Sequence, residues 1–145
     1  MVKNLHVYSE DPSINKREIH SLISSLKSEF SLSISFLSIN FISSKELKAI
    51  NKKYLNHDYV TDIISFNYSS KVKLIDGEIL ISYDDARENA KKYKSNYNKE
   101  ICRLIIHGVL HLLNYDDNNK KNKAIMKQME NKLINSYNFT LLVGK

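Results

Sequence analysis

The stretch Ile101-Cys102-Arg103-Leu104-Ile105-Ile106-His107-Gly108-Val109-Leu110-His111-Leu112-Leu113-Asn114-Tyr115-Asp116-Asp117 decides how the rest of the chain is read. Leu104, Ile105, Ile106, Val109, Leu110, Leu112 and Leu113 make a helix that is apolar nearly all round, which predicts a central, buried helix. Within it His107 and His111 stand at i and i+4, a spacing that stacks both imidazoles on one face with Cβ atoms about 5–6 Å apart. Two imidazoles converging in a low-dielectric interior resist protonation and suit a divalent metal. Asn114 occupies the position where helices end in a left-handed residue, usually Gly and otherwise Asn. A reversal there returns Asp116 or Asp117 over the histidine face. Two histidines and one carboxylate leave a fourth position open, the catalytic form of a zinc site, where bound water has its pKa lowered toward ~7.

Five histidines in 145 residues produce an i,i+4 pair by chance roughly 0.13 times per chain, so the spacing alone carries little. Its apolar setting carries more, because each buried imidazole needs a polar partner. His6, His20 and His57 have no comparable surroundings and are left unassigned. Zinc peptidases of the His-Glu-x-x-His type place a Glu general base directly after the first His; here that position is Gly108, which argues against such a peptidase. A glycine there instead permits close approach of a strand or of substrate backbone.

Working outward, Asn98 is expected to cap this helix, which runs to Leu113. A last helix over Asn122 to Tyr137 is expected to bury Ile125, Met129 and Leu133. Upstream, Asp84 is expected to cap a helix burying Ala86, Ala90 and Tyr93. Asp62 to Tyr68 and Glu78 to Tyr83 read as two strands separated by a turn containing Asp76-Gly77. Asn15 with Glu18 and Ser43 with Glu46 resemble capping boxes. The first opens a helix with Ile19, Leu22, Ile23, Leu26 and Phe30 on one stripe, the second a helix with Leu47, Ile50 and Tyr54. Leu5 and Val7 mark a short first strand. Ser33 to Ile42 is another strand, with Ile34, Phe36 and Ser38 alternating against Ser35, Leu37 and Ile39. The order β-α-β-α-β-β-α-α-α describes an α/β (α+β) fold of about four strands packed with about five helices, residues 1–145 forming a single domain.

Composition narrows the class. With 42% hydrophobic and 26% charged residues the chain is globular rather than disordered, and three Gly with one Pro exclude collagen-like or linker-dominated architectures. The single cysteine, Cys102, rules out a disulfide framework and a Cys-rich zinc finger, and suits a reducing compartment. Met1 to Glu10 has no apolar signal region and no window approaches 18 uninterrupted apolar residues, so a soluble, cytoplasmic protein without a membrane partner is expected. Arg87 to Lys132 contains 11 basic and five acidic side chains and so holds the whole net charge of +6. A localised basic field suits a polyanionic partner through phosphate contacts and counterion release. Lys on a solvated helix face is as readily explained by solubility, so charge alone does not decide.

The metal-ligand stretch resembles the signature His-Gly-x-Leu-His-Leu-x-Gly-Tyr-Asp-His of the YbeY family, read here as His107-Gly108-Val109-Leu110-His111-Leu112-Leu113-Asn114-Tyr115-Asp116-Asp117. Leu55-Asn56-His57-Asp58-Tyr59-Val60-Thr61-Asp62-Ile63-Ile64-Ser65-Phe66 contains a match to the family's Thr-Asp-Val-Leu-Ser-Phe strand, and Gly77-Glu78-Ile79-Leu80-Ile81-Ser82 is similar to its Gly-Asp-Ile-x-Ile-Ser strand. The resemblance implies a zinc-dependent single-strand endoribonuclease with one Zn2+ per chain, acting in late 16S rRNA 3′-end maturation and ribosome quality control. Its partners would be ribosomal RNA and small-subunit ribosomal proteins, with no DNA expected. The family's three metal-ligand positions fall on His107, His111 and Asp117; Asp117 stands where most members have a third His, and a carboxylate is a competent zinc ligand. Leu55 follows Tyr54 where many members carry an arginine, and Lys52, Lys53 or the C-terminal lysines are the cations available in its stead.

In this reading the ion polarises a phosphate oxygen or generates hydroxide, the basic segment holds the backbone, and an aromatic ring such as Phe66 stacks a base. Asp116 and Asp62 are candidates for hydrogen-bonding support of the ligands or for proton transfer, alongside plain turn and strand-end roles. The competing reading is a non-catalytic ribosome-assembly or RNA-binding factor with a structural metal. A third is hydrolysis of a peptide, which Gly108 opposes, or of a small phosphoester.

Overall fold

The computed structural model describes residues 1–56, 61–137 and 139–143. His57, Asp58, Tyr59 and Val60 of the second motif lie outside them. Chain order is β1 (Leu5–Ser9), α1 (Lys16–Phe30), β2 (Ser33–Ile42), α2 (Ser44–Leu55), β3 (Ile63–Asn67), β4 (Leu74–Ser82), α3 (Tyr83–Lys92), α4 (Tyr97–Leu112) and α5 (Lys120–Ser136), as the sequence pattern predicts. The strands form one sheet in the order β1-β2-β4-β3; β1, β2 and β4 run parallel and β3 pairs antiparallel with β4. The two caps read from capping boxes hold: Asn15 accepts from the Glu18 amide and Ser43 from the Glu46 amide, satisfying donors that the first turn leaves free.

The sheet face under α1 and α4 carries the main core, with Leu37, Ile39, Phe41, Ile75, Ile79 and Ile81 against Ile19, Leu22, Ile105 and Ile106. A register shift between Ile34 and Phe36 changes the alternation of β2 midway, so Ile34 is buried and then Leu37, Ile39 and Phe41, while Phe36 and Ser38 turn away. On the other face, Ile42 and Ile64 pack with Leu47 of α2, joined by Phe66 and Leu80.

Several local expectations are corrected. Asp76-Gly77 lies inside β4 rather than in a turn, because Gly77 permits close approach: a Cβ there would collide with the Phe66 carbonyl oxygen and stand 2.9 Å from Leu112 Cδ2. The connection turns earlier, where Lys73 adopts a φ of 63°. Ser82, not Asp84, caps α3, and Asp84 instead accepts from the Ser44 amide at the start of α2. Asn96, not Asn98, caps α4; Asn98 ties down the C-terminal segment through the Phe139 carbonyl and the Leu141 amide. Tyr54 and Tyr93 are exposed, the second α2 core position being Asn51. The buried stripe of α5 is Met126, Glu130 and Leu133, one residue round from the expected Ile125 and Met129.

Candidate metal centre

Helix α4 is pressed close to the sheet at Gly108, where an added Cβ would lie 2.9 Å from Ile79 Cδ1 and 3.2 Å from Ile63 Cδ1. That close approach is the role of the glycine between the histidines. The helix ends at the expected place: Asn114 has a φ of 70°, its amide donates to the His111 carbonyl, and the Tyr115 amide reaches back to Leu110. This is a Schellman closure, in which a left-handed residue lets two amides satisfy carbonyls of the last turn. Asn67 of β3 donates to the Leu112 carbonyl and to Asn114 Oδ1, so the sheet edge also holds the helix end.

The reversal brings back Asp117. Its Oδ2 lies 3.9 Å from His107 Nε2 and its Oδ1 lies 3.9 Å from His111 Nε2, while the two Nε2 atoms are 3.0 Å apart. One donor atom from each of the three residues falls within 4.8 Å of the others, the one such group among the described residues. Donors about 2.1 Å from a tetrahedral ion stand about 3.4 Å from one another, and the observed separations straddle that value. Two imidazole nitrogens and a carboxylate oxygen are also the donor chemistry zinc prefers, so the residues fit such an ion. Asp116 turns elsewhere: its Oδ1 accepts from the Asn118 amide and from Asn122 Nδ2, bracing the loop that carries Asp117.

A residue that hydrophobic periodicity missed completes the arrangement. Glu130, on the buried stripe of α5, puts Oε2 2.6 Å from His107 Nδ1, and Arg103 and Asn131 hold the neighbouring groups through the Arg103 guanidinium. A carboxylate accepting from Nδ1–H fixes the tautomer and leaves Nε2 with its lone pair toward Asp117 and His111. Burial opposes the charged form of His107, but the hydrogen bond and charge of Glu130, with Asp117 and Asp62, prevail and raise its pKa above the ordinary histidine value. His111 moves the other way, through burial and then the neighbouring charge of His107. The detectable signal in sequence was an acid four residues from Met126 and three from Leu133 on a helix otherwise rich in lysine.

Asp62 lies near enough for its charge to act on His107; it accepts from Asn89 Nδ2, and burial pushes its own pKa up. Phe66 is placed away from the centre. Its ring packs edge-on to Tyr54 with centroids 6.4 Å apart, on the α2 face of the sheet, whereas Ile63 on the alternate face meets Gly108. His6 stacks on Phe36, and His20 accepts from the Val2 amide, so neither joins the triad.

His107 and Asp117 of the triad line a cleft of about 480 Å3, together with Glu100, Arg103, Lys123, Lys127 and Glu130. The side chains of His107, His111 and Asp117 keep 22%, 28% and 37% of their exposure, so the donors face solvent on one side. These features define an α/β protein with a helix-borne cluster of two histidines and an aspartate that could hold a metal ion, beside a cleft lined by both basic and acidic side chains. Residues 4–138 match the family described as Endoribonuclease YbeY, and the chain belongs to that family. The Endoribonuclease YbeY of Parabacteroides distasonis is 36% identical over 130 residues, covering 88% of this chain and 91% of the relative. That of Bacteroides thetaiotaomicron is 36% identical over 123 residues, covering 85% and 89%. The solution structure of TM1509 from Thermotoga maritima superposes with a TM-score of 0.62 at 22% identity, covering 90% of this chain and 86% of that one, and shares the fold.

Proposed function

We propose that residues 1–145 form a single metal-dependent hydrolase domain that cleaves single-stranded RNA internally, with His107, His111 and Asp117 holding one zinc ion. The observation that carries the proposal is the open-sided triad itself, joined to membership of a family whose relatives are named endoribonucleases. A divalent ion at this position supplies Lewis acidity toward a phosphate oxygen and lowers the pKa of water. The chain's own residues do the rest. Glu130 keeps a proton on His107 Nδ1 and so aims its ring. The Schellman closure at Asn114 and the Asp116 brace set Asp117 over the histidines. Asp62, whose pKa burial raises, lies close enough for its carboxylate charge to act on the same ring.

The basic segment supports RNA as the polyanion, and the setting proposed for its cleavage is maturation of the 16S rRNA 3′ end on the small ribosomal subunit, in the cytoplasm. Among the described residues no helix is long and apolar enough to cross a membrane. Purified zinc-loaded protein and its His111→Ala variant, incubated with single-stranded RNA spanning the 16S 3′ end, provide the test. Cleavage by the first and at least a hundredfold slower cleavage by the second is expected. Equal rates would remove the metal from the chemistry, and an unbroken RNA with an ion held by four protein ligands would mark a binding factor with a structural metal.

A further inference from the structure

The cleft beside the triad holds a second set of groups that take no part in gripping an ion. Lys123 and Lys127 stand at i and i+4 on α5, so their Cα atoms are about 6 Å apart along the helix axis and their side chains leave the same face. Both are exposed, and the ion pairs found among the described residues use Arg87, Arg103, His107 and His111 instead. Arg103 is engaged with Glu130 and Asn131, which leaves the two lysines as the cations in this cleft not engaged in an ion pair there. On the same lining, Tyr93 ends α3 with 66% of its surface exposed, so its ring contributes little to the core. Lys92 Nζ lies 5.4 Å from that ring's centroid, placing a further positive charge beside it. Met126, buried, is the apolar group on the same lining.

An exposed aromatic ring, an apolar floor and two unpaired cations one helical turn apart are the parts that single-stranded nucleic acid requires: a stacking surface for a base and point charges for consecutive phosphates. Glu100 is the remaining carboxylate on this lining, Asp117 and Glu130 facing the histidines and Arg103, so the two lysines outnumber it and a neutral ligand would leave an ammonium group without a counter-charge. We propose that this end of the cleft is the nucleotide subsite adjoining the cleaved phosphate. The base stacks on Tyr93 over Met126, the flanking phosphates bind Lys123 and Lys127, and the strand therefore enters from the α3–α5 side. The subsite rests on the endoribonuclease reading given above.

Binding to the metal-stripped protein separates recognition from chemistry. The probe is a fluorescein-labelled single-stranded hexaribonucleotide, titrated by anisotropy over a series of salt concentrations. The Lys123→Ala/Lys127→Ala variant is expected to bind at least tenfold more weakly and to lose about 1.4 from the slope of log affinity against log salt. Tyr93→Ala is expected to bind roughly tenfold more weakly with its slope unchanged. A control pair on distant helices, Lys16→Ala/Lys48→Ala, is expected to match the parent. Equal losses in the control and α5 variants would show a diffuse basic field and overturn the subsite, as would an unchanged slope in the α5 variant. If the zinc-loaded parent cleaves RNA and the α5 variant keeps its KM, the subsite alone fails. If the parent binds through Lys123 and Lys127 yet leaves RNA intact when loaded, the endoribonuclease reading alone fails.

Discussion

Glu130 Oε2 lies 2.6 Å from His107 Nδ1, a link from α5 to the first histidine of α4 that orients the ring for whatever its Nε2 binds. Replacing this carboxylate with its amide keeps the shape and removes the charge. Glu130→Gln is therefore expected to lower zinc affinity by about 10–100-fold while the fold persists. Competition against a chelating dye measures it, and an affinity equal to the parent's would show that the ring is oriented by packing alone.

The same pair sets a proton count. His107 has its folded pKa raised above 6.5, so without metal the interaction contributes stability fully below that unfolded value and loses it as pH rises through the folded pKa. An ion needs the lone pair instead, so with the folded pKa raised, binding expels a larger share of a proton than it would from an ordinary histidine at the same pH. Calorimetry in two buffers of different ionisation enthalpy is expected to show more protons released by the parent than by Glu130→Gln. Equal release would place the proton elsewhere.

The limits of sequence legibility are physical. The caps at Asn15 and Ser43 were readable because each stands three residues before a glutamate, whereas Ser82 and Asn96, which cap with the same local geometry, have no such glutamate to mark them. Asp84 misled because its acceptor serves the Ser44 amide, 40 residues away, a contact that exists only once α2 and α3 pack. Gly77 read as a turn because its need for space comes from the Phe66 carbonyl on a paired strand, invisible to local pattern. The His107–His111 face and the reversal at Asn114 were legible, since both follow from helix geometry; that geometry left Asp116 and Asp117 open, and the family resemblance singled out Asp117, the one that lies against the histidines. Glu130 was hidden because hydrophobic periodicity assigns a charged residue to the solvated side, whereas here an imidazole and a guanidinium satisfy its carboxylate.

Asp11 is buried where the β1–α1 connection meets Arg87 of α3 and Tyr97 of α4. Burial would raise its pKa, but hydrogen bonds from Tyr97 and Ser13 and the charge of Arg87 outweigh it and bring the value below 3.8. A depressed carboxylate pKa stabilises the fold above the unfolded value, and that stability is lost as pH falls through the folded one. Asp11→Asn should cost about 1.5–3 kcal/mol at pH 7. Urea unfolding should show the deficit shrinking once the pH drops below 3.8, and a deficit independent of pH would contradict the assignment.

The two buried glycines should respond differently to one added methyl. At Gly108 the obstacles are side-chain methyls, Cδ1 and Cγ2 of Ile79 and Cδ1 of Ile63, and the helix gains about 1 kcal/mol from alanine, so Gly108→Ala should lose only about 1 kcal/mol net. Trimming Ile79 to Val should recover part of it. At Gly77 the obstacle is backbone, which cannot yield, and Gly77→Ala should lose about 3 kcal/mol. Chemical denaturation ranks the two, and the reverse order would contradict the packing described.

Metal content and X-ray absorption of the untagged, zinc-loaded chain reach the centre of the account most directly. One ion per chain is predicted, bound by two imidazole nitrogens at about 2.0–2.1 Å, one carboxylate and an exchangeable oxygen, with occupancy lost in His111→Ala. No stoichiometric ion, or a coordination sphere closed by a fourth protein ligand, would contradict it.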